Sequence, residues 1–350
     1  MDVYWETLPA QNNFVTLALY GAFFPQIVSG PVQRAGDFFG QIGKLQNPDP
    51  GEFAAGLRRI LFGLFKKIVI ADYLAAPVAS VHADPSRFSS LELLFGAYCF
   101  AIELYADFSG ITDIAIGIGQ LFGIKGPENF DLPYYSPNIQ MFWRRWHMSL
   151  TSWLTDYLFT PLRMSLRTLG SAGLYLAVVL NFIAIGLWHG LTWVFFFFGL
   201  LNGIYMVVSV MTLKQRNRFF QARPALAQIR AITGPLITFH LMVFAMIFFR
   251  SETLSSAFKY VGSMVPGWGN RSVTFGRFDQ ALLGVAFRPL MLCFIAFFAS
   301  EAVTWAARRQ ICVDWFFTMP VFFRRALYCA LAATVLLFFK DSLTFIYARF

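Results

Sequence analysis

LYLAVVLNFIAIGLWHGLTWVFFFFGLLNGIYMVVSVM, residues 174–211, is an apolar run divided near its middle by Trp188-His189-Gly190. A membrane-crossing helix needs about 20 predominantly apolar residues, so this run holds two. A titratable ring inside such a run is costly unless it is paired or does chemistry. The chain carries four histidines in 350 residues, and His189 is the first place to look for function.

The rest of the chain agrees with a bilayer setting. Hydrophobic residues make up 57% and charged residues 13%, against about 25% charge in ordinary soluble domains. The 42 Phe and nine Trp suit lipid-facing surfaces and interfacial belts. The net charge of +9 sits in short clusters between apolar runs: Arg58-Arg59, Lys66-Lys67, Arg144-Arg145, residues 214–218, Arg308-Arg309 and Arg324-Arg325. That pattern is positive-inside anchoring rather than a nucleic-acid surface. Cys99, Cys293, Cys312 and Cys329 form no CxxC pair and no Cys/His spacing, so no metal site is expected. Residues 1–13 are polar and acidic and do not read as a signal peptide. Composition and length predict an all-α, polytopic helical membrane protein. It is expected to form a single domain over 1–350, with about eight membrane-embedded helices, some re-entrant or interfacial.

Residues 14–28 are apolar but short for a span and are interrupted by Pro25, which points to a re-entrant segment. Residues 37–51 read as a polar loop. Residues 52–81 read as one helix whose mid-helix Lys66 and Lys67 place it in the interface or along a cavity. Residues 82–90 form a loop in which His82 is solvated. A long helix is expected over 91–124. Residues 125–137 hold three prolines and cannot be one helix, while Ser136-Pro137 opens an amphipathic helix over 138–159. Residues 214–230 read as a basic loop. Further spans are expected at 232–249, 290–307 and 321–339, with a Gly/Pro-containing loop at 265–277.

Four places carry candidate chemistry. Glu103, Asp107 and Asp113 lie on the long helix, Glu103 and Asp107 on one face at i,i+4. They either pair with basic groups to hold the bundle together or line a polar path and bind substrate hydroxyls. Trp143-Arg144-Arg145-Trp146-His147 spaces Trp143 and His147 at i,i+4. The arginines there are either interfacial anchors or partners for the phosphates of a donor, and His147 is either structural or part of an active site. His189 is bracketed by Gly186 and Gly190, which would admit another backbone close by. A neutral imidazole there can take a proton from a hydroxyl; the alternative is a core histidine bonded to Asn181, Asn202 or a carbonyl. His240 lacks glycine or charged neighbours and reads as structural. No GxSxG, Walker, HExxH or dinucleotide fingerprint falls in a useful place.

Taken in order, these blocks resemble the membrane-bound O-acyltransferase family, and most closely its bacterial branch. The resemblance rests on Phe24-Pro25-Gln26 with Ser29-Gly30-Pro31-Val32-Gln33-Arg34, Tyr105-Ala106-Asp107-Phe108-Ser109-Gly110 with Asp113, and Pro127-Glu128-Asn129-Phe130. It continues through Phe142 to Leu150, Trp153-Leu154 with Asp156-Tyr157-Leu158, Gly186-Leu187-Trp188-His189-Gly190 and Phe249-Arg250-Ser251-Glu252. It implies helices around a central substrate tunnel, with His189 as general base and His147 as the second active-site histidine. Trp188 would shape the wall, and Arg144, Arg145, Asp107 and Asp113 would contact substrate. No bound cofactor is implied. The donor would be acetyl-CoA or an acyl-carrier thioester, delivering acetyl groups toward hydroxyls of an exported polysaccharide such as alginate. D-alanyl transfer to teichoic acid is the alternative. The expected setting is the bacterial inner membrane, multi-pass, with periplasmic acetylation or polysaccharide-export partners and no nucleic acid. A proton-coupled transporter or channel is the reading from another class, disfavoured by the lack of an inverted repeat.

Two departures stand out. Members of the bacterial branch begin with several more helices before the F-P block, so the resemblance implies a chain short at its N-terminus. Thr160-Pro161-Leu162-Arg163-Met164 replaces the glycine-rich run of many alginate acetylases and leaves the acceptor open.

Overall fold

The computed structural model describes residues 1–27, 30–45, 47–265, 287–309 and 313–339. It is helical throughout, and among the described residues the one β-type pairing is the isolated antiparallel bridge Phe130↔Trp146. Helices α1 (Phe14–Ala22), α2 (Phe24–Ile27) and α3 (Ala35–Ile42) are short. Helices α4 (Pro50–Leu64) and α5 (Asp72–Ala83) are joined without a break by a π-helical segment, Phe65–Ala71. Helix α6 (Ser90–Leu121) follows. Then come α7 (Ile139–Trp143), α8 (Met148–Leu154), a second π segment (Thr155–Phe159) and α9 (Thr160–Ser165). The remainder is α10 (Gly170–His189), α11 (Trp193–Gln221), α12 (Pro224–Arg250), α13 (Leu254–Met264), α14 (Phe287–Arg308), α15 (Val313–Thr318) and α16 (Val321–Phe338). Five of these, α10, α11, α12, α14 and α16, are long and apolar enough to cross a membrane.

Local signals explain several boundaries. Asp49 caps α4 through Gly51 N (2.6 Å) and Glu52 N (2.9 Å), with Pro50 at the first helical position. Ser89 and Glu92 form a reciprocal capping box at the start of α6. Glycines then set how α4 and α6 meet. A Cβ on Gly63 would lie 2.5 Å from Gly110 O, and one on Gly110 would lie 2.7 Å from Gly63 O. Gly56 and Gly117 repeat the arrangement one heptad away. The backbones touch because no side chain stands between them. Gly110→Ala is therefore expected to push the two helices apart at a cost of about 1–3 kcal/mol, read as a lower thermal midpoint in detergent. An unchanged midpoint would show that the contact yields without strain.

Several sequence expectations are corrected. Residues 37–51 are not all loop, since α3 runs to Ile42. Phe38, fully buried there, packs on Phe23 and Tyr20. The helix expected over 52–81 is interrupted by a π segment, on which Lys66 and Lys67 are buried; Lys66 lines a polar cavity, the second of the two placements expected for it. His82 is not solvated in a loop. It lies in the last turn of α5, its Nδ1 donates to Val78 O (3.0 Å) and its ring stacks on Tyr260 at 4.7 Å. The helix expected over 138–159 breaks at residues 144–147, because Trp146 pairs with Phe130 and forces His147 to φ +46°. The basic stretch 214–230 is not a loop. Helix α11 continues to Gln221 and α12 starts at Pro224, where proline favours a new helix start. Guanidinium–ring stacking holds this end together, Arg223 over Phe219 at 4.2 Å and Arg230 over Phe220 at 4.5 Å. Val28-Ser29, residues 266–277 of the expected Gly/Pro loop, and Cys312 lie outside the described residues.

Apart from the buried Lys66-Lys67 pair, residues of three basic clusters, Arg59, Arg145 and Arg308, gather at one end of the bundle round Glu128 and Asp131. Arg59 meets Asp113 and Glu128, Lys125 meets Glu52 (2.9 Å), and Arg308 donates to Phe130 O (2.6 Å). Gln140 and Arg216 both reach Ser209. At the opposite end Ser90 donates to Ser263 O, Lys259 approaches Asp84, and the turn at residues 190–192 joins α10 to α11.

Candidate active site

Two separate parts of the chain bring histidines to one place. His189 is the last residue of α10. It is seated there because α10 and α11 pack backbone to backbone: a Cβ on Gly186 would lie 2.1 Å from Phe195 O and 3.1 Å from Gly199. One on Gly190 would strike the Phe195 ring at 2.8 Å. The close approach expected from the Gly186 and Gly190 bracket is present. The His189 ring stands edge-on to Phe249 (4.9 Å) and to Trp188 (5.0 Å).

His147 is held by a hub built from three of the sequence blocks. Asn129, fully buried, accepts at Oδ1 from Ser149 Oγ (2.6 Å) and Ser149 N (3.2 Å), and its carbonyl accepts from Met148 N (2.9 Å). Ser149 Oγ also accepts from Val32 N (2.9 Å). Asp131 N donates to Arg145 O (3.0 Å) on the other side of the Phe130↔Trp146 bridge. The histidine thus sits in a left-handed turn clamped before and after. Its ring is edge-on to Phe108 at 4.6 Å and lies 6.3 Å from Trp188. His147 lies between spans, and burial, then the neighbouring His189, push its pKa down to about 3, so the ring is neutral at physiological pH. Asn129→Ala would leave the Ser149 N–H and the Ser149 hydroxyl without their acceptor. A loss of about 1–3 kcal/mol is expected, read as a lower thermal midpoint, and an unchanged midpoint would remove the hub's structural role.

Both rings line one narrow cavity of about 30 Å³, walled by Trp143, Trp146, Met242, Met246 and Phe249 among others. That is room for about two waters, in a mostly apolar shell. Trp188 is 57% exposed and stands beside the cavity against both histidine rings rather than in its lining.

The other sequence candidates lie elsewhere. Asp107, with no exposure, pairs with Lys67 at 2.7 Å, and Lys67 also meets Asp72 at 2.7 Å. Asp113 pairs with Lys66 (2.5 Å) and Arg59 (3.0 Å). Glu103 is buried on the same helix. Of the two readings of these carboxylates, the geometry shows ion pairing for Asp107 and Asp113. Asp113 additionally lines a second, polar cavity of about 380 Å³ with Arg59, Lys66, Glu128 and Arg308. Arg144 is exposed, and Arg145 is half-buried 3.8 Å from Asp131. His240, read as structural, bonds Tyr98 Oη (2.7 Å) and Leu236 O (2.7 Å). Among the described residues no His/Cys/Asp/Glu group could hold a metal ion.

Sequence reasoning missed the hub itself. Asn129 and Ser149 stood inside recognised blocks, but nothing in their spacing said that residues 32, 129 and 149 meet. It also separated the lysines of the π segment from the carboxylates of α6, which the fold joins.

Comparison with known proteins bears on these residues. The sequence model of MBOAT, the membrane-bound O-acyltransferase family, matches residues 7–250. The peptidoglycan O-acetyltransferase of Helicobacter pylori is 36% identical over 256 residues, which cover 73% of this chain and 47% of that protein. The probable alginate O-acetylase AlgI of Azotobacter vinelandii is 34% identical over 264 residues, covering 75% and 50%. The teichoic acid D-alanyltransferase of Bacillus subtilis is 30% identical over 263 residues, covering 71% and 63%. The chain spans about half the length of the first two.

Proposed function

Since the chain belongs to the membrane-bound O-acyltransferase family, we propose that it moves an acetyl group from a thioester to hydroxyls of an exported cell-surface polysaccharide, with His189 as general base. The observation that carries this reading is the shared cavity of His189 and His147, assembled from α10, α12 and the turn after α7. His189 takes the proton of an acceptor hydroxyl while the oxygen attacks the thioester carbonyl. Collapse of the tetrahedral intermediate breaks the C–S bond, and the thiolate leaves with that proton. The apolar walls keep water from competing for the acyl group, and holding the acyl carbon beside the acceptor oxygen at this cavity supplies proximity. His147, neutral and immobilised by the Asn129 hub, positions the reactants.

The concentration of Arg and Lys at one end of the bundle orients that end toward the cytoplasm. The donor, acetyl-CoA or an acyl-carrier thioester, arrives on that side, where Arg144 stands exposed. The acceptor, or a periplasmic relay protein for it, approaches from the other. Relatives named for peptidoglycan and alginate acetylation support a carbohydrate acceptor, and the inner membrane of a bacterium is the setting that links such a donor to it.

The test is acetyl ester on surface polysaccharide in a deletion strain complemented with the full chain, alongside labelled acetyl transfer in its membrane vesicles. Restored ester supports the reading. D-alanyl ester in place of acetyl would replace the acyl group and retain the site. Proton-coupled solute uptake that survives His189→Ala, with no ester of either kind, would replace acyl transfer by transport.

A further inference from the structure

Acyl transfer develops negative charge on the thioester carbonyl oxygen, and the largest single contribution to such reactions is a fixed donor aimed at that oxygen. Trp143 ends α7 and lines the histidine cavity. Its indole Nε1 is buried and has no hydrogen-bond partner. A buried indole N–H normally finds an acceptor, and leaving it unmatched costs stability. Of the side chains that line this cavity, Trp143 carries, among the described residues, a buried donor with no protein acceptor. The hydroxyl of Thr151 is already committed, donating to Trp146 O at 3.2 Å. The indole is also held in place, edge-on to Phe182 at 5.1 Å and to Phe142 at 5.6 Å.

From these observations we infer that Trp143 is the oxyanion donor of the site, its Nε1–H hydrogen-bonding the carbonyl oxygen as the tetrahedral intermediate forms; this rests on the acyl-transfer reading. As the hydroxyl oxygen bonds to the acyl carbon, the carbonyl π pair moves to oxygen and the hydroxyl proton goes to His189. Trp143 keeps its own proton throughout and contributes only the hydrogen bond. When the C=O reforms, the C–S bond breaks and the thiolate takes the proton from His189. Indole suits this task because it is a donor only and does not titrate. With no protein acceptor competing for it, it makes its bond with the reacting oxygen and lowers the transition state relative to the ground state.

The experiment compares Trp143→Phe with replacement of Trp143 by benzothienylalanine, which keeps the bicyclic shape and lacks the N–H. Labelled acetyl transfer from acetyl-CoA into surface polysaccharide is followed in membrane vesicles, with protein level checked by blot. Both variants are expected to lose about 10²–10³-fold in kcat with KM for acetyl-CoA nearly unchanged. Wild-type kcat in the benzothienylalanine protein, with His189→Ala inactive, overturns the donor role alone. No acetyl transfer by wild type above vesicles that lack the protein removes the acyl-transfer reading and the donor role together. A second readout needs no turnover. The ultraviolet resonance Raman difference between wild type and Trp143→Phe should show the indole N–H band shift when acetonyl-CoA, an unreactive analogue that keeps the carbonyl, is added, and an unchanged band with the analogue bound overturns the proposal.

Discussion

Replacing His189 by alanine is expected to lower acetyl transfer by about 10²–10⁴-fold, the range for loss of a positioned general base, while the protein stays in the membrane at its normal level. The two halves of this expectation have different origins. The chemical loss follows from where the ring sits, at the end of α10 in the cavity it shares with His147. The retained level follows from what holds that end of α10. The Gly186–Gly199 backbone contact and the rings of Phe195 and Phe249 do not depend on the imidazole. His189→Gln keeps most of the side-chain volume without a comparable base and should be almost as inactive. Acetyl ester measured on surface polysaccharide, against blotted protein, decides the matter. Unchanged ester in His189→Ala would sink the assignment, and loss of protein together with ester would make the ring structural instead.

The second large effect concerns stability. Lys67→Met should destabilise the fold by about 3–5 kcal/mol, the usual cost of removing one partner from a buried ion pair. Lys67 is buried in the π segment between Asp107, which has no exposure at all, and Asp72. Its loss strips both carboxylates of the cation they share. The readout is the thermal midpoint and the folded fraction in detergent. The double variant Lys67→Met with Asp107→Leu should recover much of the loss, since replacing a buried pair by apolar groups is often neutral. If Lys67→Met alone leaves the midpoint where it was, the triad carries no net stability.

The fold class was legible because membrane helices announce themselves by length and apolarity alone. Runs such as 174–211 needed no tertiary context. His189 was legible for a related reason, since a lone titratable ring stands out against an apolar run. What sequence periodicity could not supply was anything set by contact between distant segments. The break at residues 144–147 comes from Phe130 pairing with Trp146, and a helical i,i+4 reading of Trp143 and His147 had no means of anticipating it. The inward turn of Lys66 and Lys67 depends on a π segment whose sequence, Phe65 to Ala71, reads as ordinary helix. The basic stretch 214–230 misled for the opposite reason. Charge suggested a loop, but arginines stacked on Phe219 and Phe220 continue comfortably in a helix that has left the apolar zone.

The π segment at Phe65–Ala71 also makes chain length itself a constrained quantity at that point. An α-helix advances about 100° per residue, 3.6 to the turn, and a π bulge accommodates one residue more than that winding allows. Adding one more residue between 65 and 71 would exceed what the bulge absorbs and rotate α5 by about that angle against α4. Asp72 would then swing away from Lys67, and His82 would leave Tyr260. Removing one residue would instead let ordinary winding resume with α5 keeping nearly its present face. Length changes of one residue are therefore unequal at this point: a deletion is absorbed locally, whereas an insertion misaligns the whole downstream helix.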